Sequence, residues 1–141
     1  MITADIRDPA AIFENPSTRE FIDFEKPYAV LCVSIFHHLG DEDAYVTAEE
    51  IKRRLAPGTY LMLANFVDDD EPRAKEMERA FLEGGLGTGR FRTWSELRRF
   101  NEGLELVEPG LVYANDWHPD EFTPVDSPIH TLFAAALGRK V

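Results

Sequence analysis

The sequence predicts an α/β domain with a mostly parallel sheet, a final antiparallel strand and helices on both faces, and three observations carry that prediction. Tyr28 to Ile35 is a continuous run of apolar or small residues rich in β-branched types, the pattern of a strand covered on both faces. Thr59 to Phe66 repeats that character after a Pro57-Gly58 turn. Between them, Asp41 to Leu55 reads as an amphipathic helix. Ile51 and Leu55 face the sheet, while Glu49, Glu50, Lys52 and Arg53 face water. Strand, loop, helix, turn and strand in that order form the core unit of a doubly wound fold.

The remaining elements follow in chain order. Ile2 to Ile6 is a short strand stub, and Asp8-Pro9 starts a helix, with a carboxylate at the cap and proline at the first helical position. Ile12, Phe13, Phe21 and Ile22 supply its apolar side, and Asn15-Pro16 breaks it in two. The acidic run Asp68 to Glu71 sits at the positive end of a helix from about Arg73 to Glu83, with Met77, Ala80 and Phe81 as its inner stripe. Thr93 opens another helix, Ser95 to Phe100, ended by Asn101-Glu102-Gly103. Leu104 to Val107 and Ile129 to Leu137 are the last two strands, separated by a long loop from Pro109 to Pro128 rich in proline, aspartate and aromatics.

At 141 residues and 44% hydrophobic content the chain suits one domain, residues 1–141, with a real core. Its 26 acidic against 15 basic side chains give a net charge of -11. That balance opposes nucleic acid and anionic membrane surfaces as partners. No apolar run approaches the roughly 20 residues of a membrane span and no signal segment is seen, so a soluble, cytoplasmic protein is the expectation. Cys32 is the sole cysteine and lies inside a buried strand, which makes it a core thiol.

Several residues invite a chemical reading. Ser34, Phe36, His37 and His38 fall at the carboxyl end of a central strand, where open α/β sheets place their ligand crevices. A histidine there can act as a general base near neutral pH; equally, one ring packs on the following helix and the other meets solvent. Neighbouring histidines in extended chain point to opposite faces, so no metal site is assigned. Gly84 to Gly89 holds spaced glycines, but it follows a helix instead of a strand and reads as a helix-to-helix connection.

Five segments carry a family resemblance. They are His37-His38-Leu39 after the first buried strand, Arg53 to Leu61 before the second, Ala4 to Pro9, Leu104 to Leu111, and Gly138-Arg139-Lys140. Together they resemble an actinobacterial group of class I S-adenosylmethionine (SAM) dependent methyltransferases, formerly known as a domain of unknown function, with a Rossmann-like fold. The resemblance places Ile2 to Ile6 at the third strand. The chain is therefore expected to hold the C-terminal half of that fold, without the glycine-rich first strand and loop.

The resemblance implies SAM as cofactor, with Asp5 and Ile6 at the adenine, Ser34 and Phe36 at the methionine part, and His37 or His38 as catalytic base. Tyr113 and Trp117 would line the pocket of a small-molecule methyl acceptor, or pin their loop to the body. Three functions stay open. One is a methyltransferase half needing a complementary N-terminal half. Another is a non-catalytic module that pairs or dimerises through the bare edge of the Val30 to Ser34 strand, unless the stub covers that edge. The last is a small hydrolase pairing His37 or His38 with Asp41 or Asp5, although no Gly-x-Ser-x-Gly elbow surrounds Ser34.

Overall fold

The computed structural model describes every residue except Leu86, Gly87 and Val125. One sheet contains β1 (Ala29–Val33), β2 (Tyr60–Phe66), β3 (Glu105–Leu106), β4 (Val112–Tyr113) and β5 (Phe133–Arg139). The helices are α1 (Pro9–Phe13), α2 (Pro16–Phe21), α3 (Asp41–Arg54), α4 (Pro72–Glu83) and α5 (Trp94–Phe100). The strand order is β1-β2-β5-β3, and β4 also pairs with β5. β1 and β2 are parallel, while β5 is antiparallel to β2, β3 and β4. Four strands thus run one way and β5 runs against them, as the sequence predicts. β3 and β4 lie on the same side of β5, pairing Leu106 with Gly138 and Val112 with Ala135, so they are two pieces of one broken lane.

Local chemistry explains the elements. The Asp8 side chain accepts from the Ala11 amide and Pro9 opens α1, and Asn15 caps α2 ahead of Pro16. Gly58 adopts φ 84, which supplies the left-handed step of the turn into β2. Thr93 and Glu96 form a reciprocal capping box on α5. The main core joins Cys32, Ala48, Ile51, Leu55, Leu61, Leu63, Leu97 and Phe100 on the sheet face covered by α1, α3 and α5. Each large apolar side chain buried there contributes about 1.5–3 kcal/mol. On the other face α4 covers the carboxyl end of the sheet, packing Ala74, Met77 and Phe81 near Phe66, Phe91 and Leu132.

The structure corrects several expectations. Ile2 to Ile6 forms no strand and does not pair with β1, which remains an edge. β1 is also not covered on both faces: Leu31 is 65% and Val33 is 44% exposed, because no helix lies over that corner. Phe21 and Ile22 face outward. The inner side of α4 is Ala74, Met77 and Phe81, and Ala80 is exposed. Lys52 is buried, since its ammonium donates to the Glu102 carbonyl and pairs with Glu49. The α4 cap is Glu71, the last residue of the acidic run that the sequence places at that end.

Candidate functional site

The site begins where β1 stops. The Ser34 amide still donates to the Ala64 carbonyl at 2.8 Å, but its φ of 55 turns the chain off the sheet. A left-handed conformation costs a non-glycine residue on the order of 1 kcal/mol, and such strain collects at functional turns. Residues 90–92 occupy the vacated lane beside β2. Val67 and Arg92 form a parallel bridge, in which the Asp68 amide donates to the Arg92 carbonyl at 2.9 Å.

Those same residues hold the loop that leaves β1. The Arg92 guanidinium, with a side chain 1% exposed, donates to the Phe36 carbonyl at 2.8 Å and the Leu39 carbonyl at 2.9 Å, and pairs with Asp41 at 3.2 Å. It also lies 5.3 Å above the Phe100 ring. The Arg90 amide donates to the His37 carbonyl at 2.7 Å. Sequence reasoning missed this clamp. The only trace of it is the alternation Arg90-Phe91-Arg92 after a glycine-rich stretch, a strand-like pattern too short to stand alone.

Phe36 is fully buried and stacks on Phe100 with centroids 5.1 Å apart. It anchors the loop in the core, with its ring turned away from the crevice surface that the resemblance assigns to it. His37 and His38 belong to a 3-10 turn, Phe36–His38, so their rings lie together with centroids 4.0 Å apart instead of on opposite faces. His37 is 3% exposed, edge-on to Phe66, and its Nδ1 has no hydrogen-bond partner among the described residues. Burial, then the nearby His38 and Arg92, pull its pKa down to about 4. His38 is exposed, and its Nδ1 sits 2.8 Å from Thr88 Oγ1. Both rings line a crevice of about 290 Å3 with Glu78, Leu82 and Arg90. A larger groove, about 860 Å3, runs along α3 past Glu50 and Arg53, and Arg7, Glu49, Glu50, Lys52 and Arg53 in its walls are held in ion pairs. The smaller crevice lies where the fold directs ligands, at the carboxyl end of β1.

The other predicted residues are placed as follows. Asp5 is exposed, and the Arg7 guanidinium beside it holds its carboxyl down to about 2. Ile6 is half-buried against the main core. Tyr113 ends β4; its hydroxyl donates to Asp69, and its ring meets Trp94 edge-on at 4.9 Å. Burial, then the Asp69 carboxylate, push the Tyr113 pKa up to about 12. His130 and Asp116 pair at 2.8 Å within the same loop region. Trp117 is half-buried, edge-on to His118 at 5.6 Å. Tyr113 therefore ties its loop to the loop after β2, while His37 and His38 form a separate cluster after β1. Of the Gly84 to Gly89 segment, Leu86 and Gly87 lie outside the described residues; Gly89 backs closely onto Phe81, as a connection folded against α4 should.

A mostly parallel sheet with an antiparallel strand inserted between its last two lanes, and a crevice at the carboxyl end of its first strand, defines a class I methyltransferase-like α/β protein. The family model for S-adenosyl methyltransferases matches residues 1–141, and the chain belongs to that family. A crystal structure of a Thermobifida fusca protein assigned as a methyltransferase is 40% identical with a TM-score of 0.90, covering 99% of this chain and 53% of that one. A DUF574 family protein from Streptomyces avermitilis is 32% identical with a TM-score of 0.91, covering 99% and 54%. This chain thus spans about half the length of each. An O-methyltransferase family 2 protein from Planctomyces limnophilus, solved with apigenin, shares the fold alone, at 16% identity and a TM-score of 0.58 over 94% of this chain and 39% of that one. No curated protein matches the chain. Among the described residues no helix is long and apolar enough to cross a membrane.

Proposed function

We propose that this chain contributes one wall of a SAM-dependent methyl-transfer site, acting on a small-molecule acceptor held in the crevice beside His37 and His38. The observation that carries the reading is the left-handed turn at Ser34, which lifts residues 34–40 off the sheet and opens that crevice in a chain matched throughout by the family model. The residues present fit part of the cofactor. Asp5, although bound to Arg7, keeps acceptor lone pairs for an exocyclic amine, and Ile6 offers an apolar edge to a flat ring. Ser34 presents a small polar side chain at the turn. When bound, the cofactor supplies a methyl group on a sulfonium centre.

The protein residues then divide the work. His37, neutral at pH 7 with a pKa near 4, is a poor proton acceptor; it packs against His38 and fixes that ring. His38 Nδ1 is engaged with Thr88, which leaves Nε2 to take a proton from the acceptor hydroxyl or amine. Alignment supplies most of the rate in such a transfer, so the wall opposite this crevice matters as much as the base. In this reading the isolated chain methylates poorly, and a complementary half restores the rate. The alternative, a non-catalytic binding or dimerisation module, rests on the open edge of β1.

Chemical-shift mapping with S-adenosylhomocysteine tests the reading. Weak binding should perturb the amides of residues 4–7 and 34–38, and Asp5→Ala should diminish it. Saturating ligand that leaves both segments unmoved, or that perturbs only the groove along α3, would overturn it.

A further inference from the structure

Glu78 lines the crevice beside the histidines and has no part in the loop anchor. It stands on α4 one turn before Leu82, so a carboxylate and an exposed apolar side chain share one helix face at the crevice. Its Oε1 accepts from the Phe91 amide at 2.8 Å, and its Oε2 has no partner among the described residues. Leu39 adds a second apolar side chain to the same walls.

The basic groups of these walls are already committed. Arg90 Nε pairs with Asp41 at 3.4 Å and Nη2 with Glu96 at 2.9 Å, while Nη1 donates to the Phe91 carbonyl. Behind it, Arg92 donates to the Phe36 and Leu39 carbonyls and pairs with the same Asp41. The carboxylates of Asp41, Glu78 and Glu96 therefore stand against the guanidinium groups of Arg90 and Arg92. Glu78 is the charge left over, since among the described residues no ion pair reaches it. His37, with its pKa pulled down to about 4, adds no positive charge at pH 7. A net charge of -11 over the whole chain draws cations to such a carboxylate and repels anions. An anionic ligand would also find both guanidinium groups taken. The ligand suited to these walls is cationic and hydrogen-bond donating at one end and apolar at the other. A crevice of about 290 Å3 holds a body of about one ring.

We propose that Glu78 is the specificity-determining residue of the crevice and that the occupant is a small primary amine, its ammonium donating to Glu78 Oε2 and its hydrocarbon body lying against Leu39 and Leu82. As methyl acceptor this amine rests on the methyl-transfer reading, in which His38 Nε2 takes its proton; as a ligand it does not. The tie from Glu78 to Phe91 does not account for the charge at position 78, because glutamine would accept the same amide hydrogen bond.

The test titrates benzylamine, benzyl alcohol and benzoate into the isotopically labelled 141-residue chain at pH 7, without cofactor, and follows the amides of residues 37–40, 78, 82 and 89–91. Benzylamine, a cation at this pH, should shift them and bind on the order of fivefold more tightly than benzyl alcohol, and benzoate should bind least. Glu78→Gln should bring benzylamine and benzyl alcohol level. Leu82→Lys, at an exposed position, sets an ammonium one turn from Glu78 and should do the same. Circular dichroism checks the fold of both variants. Benzyl alcohol or benzoate binding as tightly as benzylamine, no benzylamine shift at the crevice, shifts confined to the groove along α3, or a preference for benzylamine that survives in either folded variant would each overturn the proposal. Residues 4–7 report S-adenosylhomocysteine and should not move with the amine. Silence there with the amine preference intact counts against the cofactor reading alone, and the reverse counts against the role of Glu78 alone.

Discussion

Replacing Arg92 by methionine tests whether a buried guanidinium holds the loop that carries His37 and His38. The substitution removes the charge-assisted bonds to the carbonyls of Phe36 and Leu39, at 2.8 and 2.9 Å; the Phe36 oxygen still accepts from the Leu39 amide, while the Leu39 oxygen loses its guanidinium donor. At about 1.5–3 kcal/mol per charge-assisted bond, the loss is roughly 3–6 kcal/mol. Relief of the cost of burying a cation offsets part of it, and Asp41, with a side chain 49% exposed, is resolvated readily. A net destabilisation of about 2–4 kcal/mol remains, a large share of the 5–15 kcal/mol of an ordinary domain. Urea unfolding followed by tryptophan fluorescence measures it, and amide exchange reports residues 35–40 locally. Arg92→Lys should fall between wild type and Arg92→Met, because one ammonium cannot span both carbonyls as the fork does. A loss below about 1 kcal/mol in Arg92→Met, with unchanged exchange in the loop, would refute the clamp.

Two further outcomes are expected. His37 has a folded pKa near 4, below the ordinary 6.5, so as pH falls the unfolded chain takes up the proton first. Its stabilising effect is complete above about pH 6.5 and declines toward pH 4, by at most roughly 3 kcal/mol; His37→Phe should flatten that part of the pH–stability curve, and an unchanged curve would show that His37 titrates normally. Asp69→Asn should lower the Tyr113 ionisation from about 12 part of the way toward 10 in an ultraviolet titration, since burial, the larger cause, persists; no shift would mean the Tyr113 to Asp69 bond is not formed in solution.

Much of the fold was legible because its signals are local. The run from Tyr28, the amphipathic stretch to Leu55 and the Pro57-Gly58 turn each declare an element within a few residues, as do the caps at Asp8 and Thr93. What failed was whatever depends on a neighbour. Leu31 and Val33 are apolar enough for a covered strand, but their exposure is set by which elements pass over them. Ile2 to Ile6 has the composition of a strand, yet it pairs with no strand among the described residues. At the site, the positions of His37 and His38 followed from the end of a buried strand, whereas the burial of Phe36 depends on Phe100 and the loop anchor depends on Arg92, both more than fifty residues away. The Tyr113 to Asp69 contact, 44 residues apart, is just as silent there.

The exchange of lanes after Ser34 has a consequence for how this protein can change over time. Because residues 90–92 complete the ladder beside β2, the segment from Ile35 to Gly40 has no duty in the sheet. Its polar anchors are the carbonyl oxygens of Phe36, His37 and Leu39, which any amino acid at those positions would supply, and its apolar anchor is the buried Phe36 ring. The exposed side chain at His38 is thereby decoupled from the architecture that holds it, while His37 stays packed against Phe66. New chemistry can be tried at the crevice, residue by residue, with the scaffold left as it is.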